Sequence, residues 1–290
     1  MNEVAPRTVG EALDIARLAL GSLSETPALD GQLLLAEALG SDRAGVLTHP
    51  EQILTPPQAE WFLETLRRCA AGEPLPYVLG WWEFFGRRFR LTPEVLIPRP
   101  ETELMVEVGL SYLAAHPSRH RVADVGTGSG CIAVSIAAER RSVRVVASDL
   151  SRGALQLARS NAAKHGVADR VAFVECDLIP PTAGRFDLVC ANLPYIPSAV
   201  VDGLAVGGRE PRLALDGGLD GLGPIRRLFS ALPVALAAGG LALVEIEASQ
   251  GEAALAEARG ALPDSRITLQ KDLAGRDRLI VIETRQEGLP

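Results

Sequence analysis

The sequence predicts an α/β fold: a mostly parallel sheet with helices on both faces, preceded by a small helical bundle. Three observations carry this. From about residue 104 onward, strand-like apolar runs alternate with amphipathic helical stretches, the pattern that winds a parallel sheet. Residues 1–75 show only helical periodicity and helix-start signals. Between them, residues 76–97 are rich in aromatic and β-branched residues, as a β-hairpin is. The expected domains are therefore 1–75 helical, 76–97 a hairpin linker and 98–290 the α/β domain.

In the first region, Thr8 to Glu11 fits a capping box, with the Glu side chain returning to the backbone N–H of the cap. Val9, Ala12, Ile15, Leu18 and Ala19 repeat behind it at helical spacing. Residues 28–39 and 43–48 read as further helices. Thr55-Pro56-Pro57-Gln58 starts another, with Pro at the first helical position and Ala59, Phe62, Leu63, Leu66 and Ala70 on one face. In the linker, Gly86 and Arg87 read as the turn, and Trp81, Trp82, Phe84 and Phe85 as interdomain packing. In the α/β region the expected strands are 121–125, 143–148, 170–175, 186–191, 240–247, 266–270 and 278–284. A helix over 152–164 follows a Ser151 cap. The polar loop from Lys271 to Asp277 leaves no room for a helix, so the last two strands should pair antiparallel. Residues 198–222 are Gly-rich and aperiodic, which marks a long loop.

Composition narrows the function classes. At 47% hydrophobic and 22% charged residues the chain is an ordinary globular protein and not a disordered one. No apolar run approaches the ~18–20 uninterrupted residues of a membrane helix. The N-terminus lacks the basic and apolar regions of a signal peptide, so a cytoplasmic protein without membrane contact is expected. A net charge of −7 argues against a surface-wide grip on nucleic acid. Of the 29 basic residues only Lys164 and Lys271 are lysine, which reads as coding bias. Cys69, Cys131, Cys176 and Cys190 form no Cys-x-x-Cys pair, and His49, His116, His120 and His165 lack metal-motif spacing, so no disulfide framework and no metal are expected.

The motifs lie at predicted strand ends. Asp124-Val125-Gly126-Thr127-Gly128-Ser129-Gly130 follows one strand and opens a helix. Glycines there let the backbone turn tightly and approach a ligand. The third Gly comes one residue earlier than in the dinucleotide fingerprint, which favours a ligand lacking phosphates. Asp149 ends the next strand, 19 residues after Gly130, where a carboxylate can accept both ribose hydroxyls of a nucleoside. Asp177, after the third strand, reads equally as an adenine contact or as a turn residue before Pro180-Pro181. Asn192-Leu193-Pro194-Tyr195 follows the fourth strand, at the carboxyl end where ligands of such sheets bind. It offers a side-chain amide, backbone carbonyls and an aromatic face, which suit a planar NH2 group held for attack.

Taken together, these residues resemble class I S-adenosylmethionine-dependent methyltransferases. Asn192-Leu193-Pro194-Tyr195 is similar to the Asn-Pro-Pro-Tyr signature of amino-group methyltransferases. The stretch Val95-Leu96-Ile97-Pro98-Arg99-Pro100-Glu101-Thr102-Glu103, the pair Glu210-Pro211 with Ala214-Leu215-Asp216-Gly217-Gly218, and Lys271 to Arg278 resemble the bacterial release factor glutamine methyltransferases. The likeness runs from about residue 73 to the C-terminus. It implies a Rossmann-like seven-stranded sheet with an antiparallel last strand, a substrate-recognising helical domain, and methylation of the Gly-Gly-Gln glutamine of class-I peptide chain release factors. Alternatives are a ribosomal-protein glutamine or an adenine amine in nucleic acid. By resemblance, Gly126, Thr127, Gly128, Ser129, Gly130, Asp149, Asp177, Leu178 and Asn192 bind the cofactor. Asn192, Leu193, Pro194 and Tyr195 hold the substrate and carry the chemistry, while Arg99, Glu101 and Glu103 shape the site or form a salt-bridged seam. Leu193 stands where the family usually has Pro. It keeps the backbone carbonyl that the family uses as an acceptor and loses some rigidity.

Overall fold

The computed structural model describes residues 5–181, 184–203 and 209–286. The chain divides into two compact units, residues 1–81 and 82–290. The first holds α1 (Val9–Leu20), α2 (Pro27–Leu39), α3 (Arg43–Thr48), α4 (Pro56–Ala70) and α5 (Leu75–Leu79). Thr8 caps α1 by accepting the Glu11 N–H at 3.3 Å. The return bond differs from expectation: Glu11 accepts the N–H of Arg7, at 2.7 Å, and not that of the cap. The buried face of α1 is Val9, Ala12, Ala16 and Leu20, whereas Leu18 is 85% exposed. At about 100° per residue, Leu18 lies half a turn around the helix from Val9. In α4 the Thr55 N–H donates to Gln58 Oε1 at 2.9 Å, and Ala59, Phe62 and Leu66 are buried. A Cβ on Gly31 would lie 2.7 Å from Ala16 Cβ, so α1 and α2 meet through the missing side chain. Phe62 is fully buried in this core, and its truncation to Ala should cost about 3–5 kcal/mol.

Residues 75–79, expected partly in the hairpin, form the short helix α5. The hairpin itself is β1 (Trp81–Phe84) and β2 (Arg87–Arg90). Its turn is Phe85-Gly86 and not Gly86-Arg87. Both turn residues have positive φ, 51° and 66°, as a two-residue turn matched to strand twist requires. The Phe85 N–H donates to Glu103 at 2.7 Å, which helps hold a conformation unfavourable for a non-glycine residue. Phe84 and Phe89 meet edge to face, 6.2 Å between centroids, inside the core of the second unit.

The second unit continues with α6 (Glu103–Ala115), β3 (Arg121–Val125), α7 (Cys131–Glu139), β4 (Arg144–Asp149), α8 (Arg152–Lys164) and β5 (Val171–Glu175). Then come β6 (Phe186–Ala191), α9 (Ser198–Gly203), α10 (Gly223–Ala235), β7 (Leu236–Glu245), α11 (Gly251–Ala261), β8 (Arg266–Lys271) and β9 (Asp277–Glu283). The sheet has seven strands in the order β5-β4-β3-β6-β7-β9-β8. All neighbours pair parallel except β9, which is antiparallel to both β7 and β8. Alternation splits the core between two faces. Leu188, Cys190, Leu241 and Leu243 face one cluster with Met105 and Ile136, while Val189, Ala191, Ala242 and Val244 face the other with Leu228 and Ala258. β7 begins earlier than expected, at Leu236. Gly239-Gly240 serves an irregularity in the strand, with Gly239 at φ 65° and a register shift against β6.

The expected 198–222 loop contains α9 and a 3₁₀ turn at Arg212–Ala214; residues 204–208 of it lie outside the described residues. Among the described residues no helix is long and apolar enough to cross a membrane. The chain leaves β3 toward one side of the sheet and returns to place β6 on the other side of β3. That reversal opens a crevice at the carboxyl ends of the two strands.

Candidate active site

A cavity of about 540 Å³ occupies this crevice. Its wall contains Gly126, Thr127, Gly128, Ser129, Asp149, Asp177, Leu178, Asn192, Leu193 and Pro194, so the structure gathers most of the residues singled out in the sequence. Gly130 and Tyr195 are not part of that wall.

The turn after β3 is shaped by its backbone. Gly126, Gly128 and Gly130 have φ of 73°, 52° and 80°. A Cβ at Gly130 would lie 3.0 Å from the Ala158 Cβ, packing the start of α7 against α8. A Cβ at Gly128 would meet nothing within 4 Å and would enter open space. Asp124, buried beneath the turn, accepts from Thr127 Oγ1 at 2.6 Å and from the Ala133 N–H at 3.0 Å, tying the turn to the first turn of α7. Burial nonetheless pushes its carboxyl up to about 6. Asp149 accepts the N–H of Gly128 at 2.9 Å and that of Ser151 at 2.8 Å. A carboxylate has about four acceptor sites, so capacity remains toward the cavity.

The turn after β6 is shaped by side chains from elsewhere. Asn192 Nδ2 donates to Thr102 Oγ1 at 3.0 Å. Thr102, buried in the 3₁₀ turn Pro100–Thr102, donates to Glu245 Oε2 at 2.7 Å. Tyr195 donates its hydroxyl to Glu245 Oε1 at 3.3 Å. Asn192 Oδ1 is buried and has no hydrogen-bond partner among the described residues. An orphaned buried acceptor costs about 1–3 kcal/mol and calls for a donor from a ligand. Leu193, 5% exposed, places Cδ2 where a Cβ on Gly126 would lie 3.0 Å away, so it packs the turn against the glycine loop. The Tyr195 ring packs against the sheet, and its carbonyl accepts from Gln250 Nε2 at 2.8 Å. Beyond it the loop closes on itself. The Ile196 N–H donates to Leu215 at 3.0 Å, the Gly217 N–H to Ile196 at 2.8 Å and the Ser198 N–H to Gly218 at 2.9 Å.

The strap before the 3₁₀ turn is held by Glu210, which is buried. Its carboxylate accepts the Ile97 N–H at 3.0 Å and pairs with Arg99 at 2.5 Å. Glu103 serves the hairpin turn and Glu101 is exposed. Asp177 pairs with Arg227 on the cavity rim, both about half exposed. Leu178 adopts φ 61°, and its carbonyl accepts from Ser148 Oγ at 2.6 Å.

Sequence reasoning did not single out Glu245, Gln250 or Arg227, and Thr102 and Glu210 appeared only inside quoted motifs. An acidic residue ending a strand beside β6 was the available signal for Glu245.

The PrmC N-terminal domain family matches residues 11–80 and the methyltransferase small domain family matches residues 102–205. A release factor glutamine methyltransferase of Moorella thermoacetica is 42% identical over 285 residues, covering 97% of this chain and 99% of that protein. One of Bradyrhizobium diazoefficiens is 41% identical, covering 87% and 83%. The solved structure of a methyltransferase from Pyrococcus furiosus superposes with a TM-score of 0.50 at 16% identity, covering 70% of this chain and 91% of that one, a likeness of fold. With its glycine turn, its Asn192-Leu193-Pro194-Tyr195 turn and these relatives spanning nearly the whole chain, the protein belongs to the release factor glutamine methyltransferase family.

Proposed function

We infer that this protein methylates the side-chain amide nitrogen of the glutamine in the Gly-Gly-Gln motif of class-I peptide chain release factors, in the cytoplasm, with S-adenosylmethionine as donor. The observation that carries this is the buried, unpaired Oδ1 of Asn192 beside a cavity bounded by the glycine turn. The cavity fits such a donor: Gly128 leaves space that a side chain would fill, and Asp149 has acceptor capacity for ribose hydroxyls. Asp177 and Leu178 border the same cavity on the adenine side of this reading, and Thr127 and Ser129 complete the turn.

The donor supplies a methyl group already activated by its sulfonium charge. The chain has to deal with the acceptor, because an amide nitrogen's lone pair is delocalised into its carbonyl. Asn192 Oδ1 and the Leu193 carbonyl accept the two amide hydrogens. They orient the nitrogen and stabilise positive charge that develops on it. Pro194 fixes the turn, and Tyr195 secures it through Glu245. The methylated nitrogen then loses its proton readily, so no strong base is needed.

The test is transfer of labelled methyl from S-adenosylmethionine to purified release factor, beside a copy with the Gly-Gly-Gln glutamine changed to Ala. Label on the intact factor alone is expected. Equal label on both copies, or none on either while the donor binds, would refute the assignment.

A further inference from the structure

Four groups from three separate stretches of chain form one hydrogen-bonded series: Asn192 Nδ2 to Thr102 Oγ1, Thr102 to Glu245 Oε2, and Tyr195 to Glu245 Oε1. Its direction follows from proton counting. An ionised carboxylate only accepts. Thr102 has one hydroxyl proton, and giving it to Glu245 leaves Oγ1 able only to accept from Asn192. The Asn192 side chain must then present Nδ2 to Thr102 and Oδ1 to the cavity. If Glu245 carries a proton, the series can reverse: Glu245 donates to Thr102, Thr102 donates to Asn192, and the amide turns Nδ2 outward.

We propose that Thr102 and Glu245 are positioning residues that set which end of the Asn192 amide faces the acceptor, so that only a group bearing N–H is held there. This rests on the methyl-transfer reading. The side chain of glutamine satisfies the outward Oδ1. A carboxylate in its place has no hydrogen to give and meets an acceptor with an acceptor. Burial pushes Glu245 up to about 7, so both proton states lie within an ordinary assay range. The charged and titratable groups facing it are Arg278 on β9, which favours ionisation, Glu101 in the 3₁₀ turn, which opposes it, the Tyr195 hydroxyl, and the buried Cys131 thiol at the start of α7. Arg278 is itself held by Asp272 at 3.2 Å.

Two measurements test this, one independent of turnover. In protein labelled with 15N in asparagine side chains, the Asn192 NH2 signal is identified by its loss in Asn192→Ala. It should shift with pH in the native chain and become pH-independent in Thr102→Val and in Glu245→Gln. A signal that ignores pH in the native chain, or that still titrates in Thr102→Val, overturns the proposal whether or not release factor is the substrate. In the methyl-transfer assay, Thr102→Val should lower kcat about 10- to 100-fold while donor affinity and melting temperature hold, and Thr102→Ser should restore most of the loss. Equal losses in the Val and Ser variants, or native kcat in the Val variant, would also overturn it. If the native chain labels no release factor while the NMR behaviour is as described, the substrate assignment fails and the positioning role stands.

Discussion

The two turns that border the cavity end adjacent parallel strands, yet they are built by opposite means. The turn after β3 is held by positive-φ glycines and by groups no more than 32 residues away: Asp124, Thr127, Ala133, Asp149 and Asn161. The turn after β6 is held by side chains 90, 50 and 55 residues away, namely Thr102 on Asn192, Glu245 on Tyr195 and Gln250 on the Tyr195 carbonyl. In the proposed reading, the contrast teaches that a donor site can rest mainly on backbone shape, while an acceptor site draws on a long-range polar frame to aim one amide.

Breaking the acceptor side should have the largest effect. Asn192→Ala should lower methyl transfer about 10²–10³-fold, with donor binding by calorimetry little changed. Near-native turnover would erase the distinction between the turns. On the cofactor side, Gly130→Ala forces a side chain into φ 80° and against Ala158, so denaturant unfolding should show a loss of about 2–4 kcal/mol. Gly128→Ala sharpens the contrast. Its Cβ meets open space, so stability should fall by only about 1 kcal/mol while donor affinity drops, because the new methyl enters the cavity.

The frame also leaves a pH signature. Glu245 is raised from 4.5 to about 7, so the folded chain holds this proton more tightly than the unfolded one. Its contribution is fully present below pH 4.5 and is lost as pH rises to about 7. Glu245→Gln should remove that fall, on the order of 2–3 kcal/mol, when unfolding is compared at the two ends of the window. The fall due to Asp124, raised from 3.8 to about 6, should remain in the variant. The smallest effect is expected at the rim. Arg227→Gln breaks an exposed pair with Asp177 and should change stability by less than about 1 kcal/mol.

The same contrast explains what could be read from the sequence. The alternating strands, the antiparallel last pair, the Ser151 cap and the glycine turn all rest on local pattern, and each has its counterpart in the structure. Errors arose where a local signal had two physical meanings. Gly86 pointed to a turn that in fact starts at Phe85, with Glu103 bonded to its N–H. The stripe on α1 was misplaced because Leu18 is apolar but outward. Thr102, Glu245 and Gln250 join the site only once the sheet is assembled. No spacing in the chain announces them.

The bonds that join residues 196–198 to residues 215–218 make the intervening segment a closed excursion with a narrow neck. Glu210 lies inside this excursion and holds Ile97 and Arg99, so the segment is tied back to the strap that leads to Thr102 and Asn192. Lengthening a closed loop costs little, about 0.6 kcal/mol for each doubling. A change of length in that excursion is therefore tolerable only where Glu210 keeps its two bonds, because losing them frees the strap that carries Thr102.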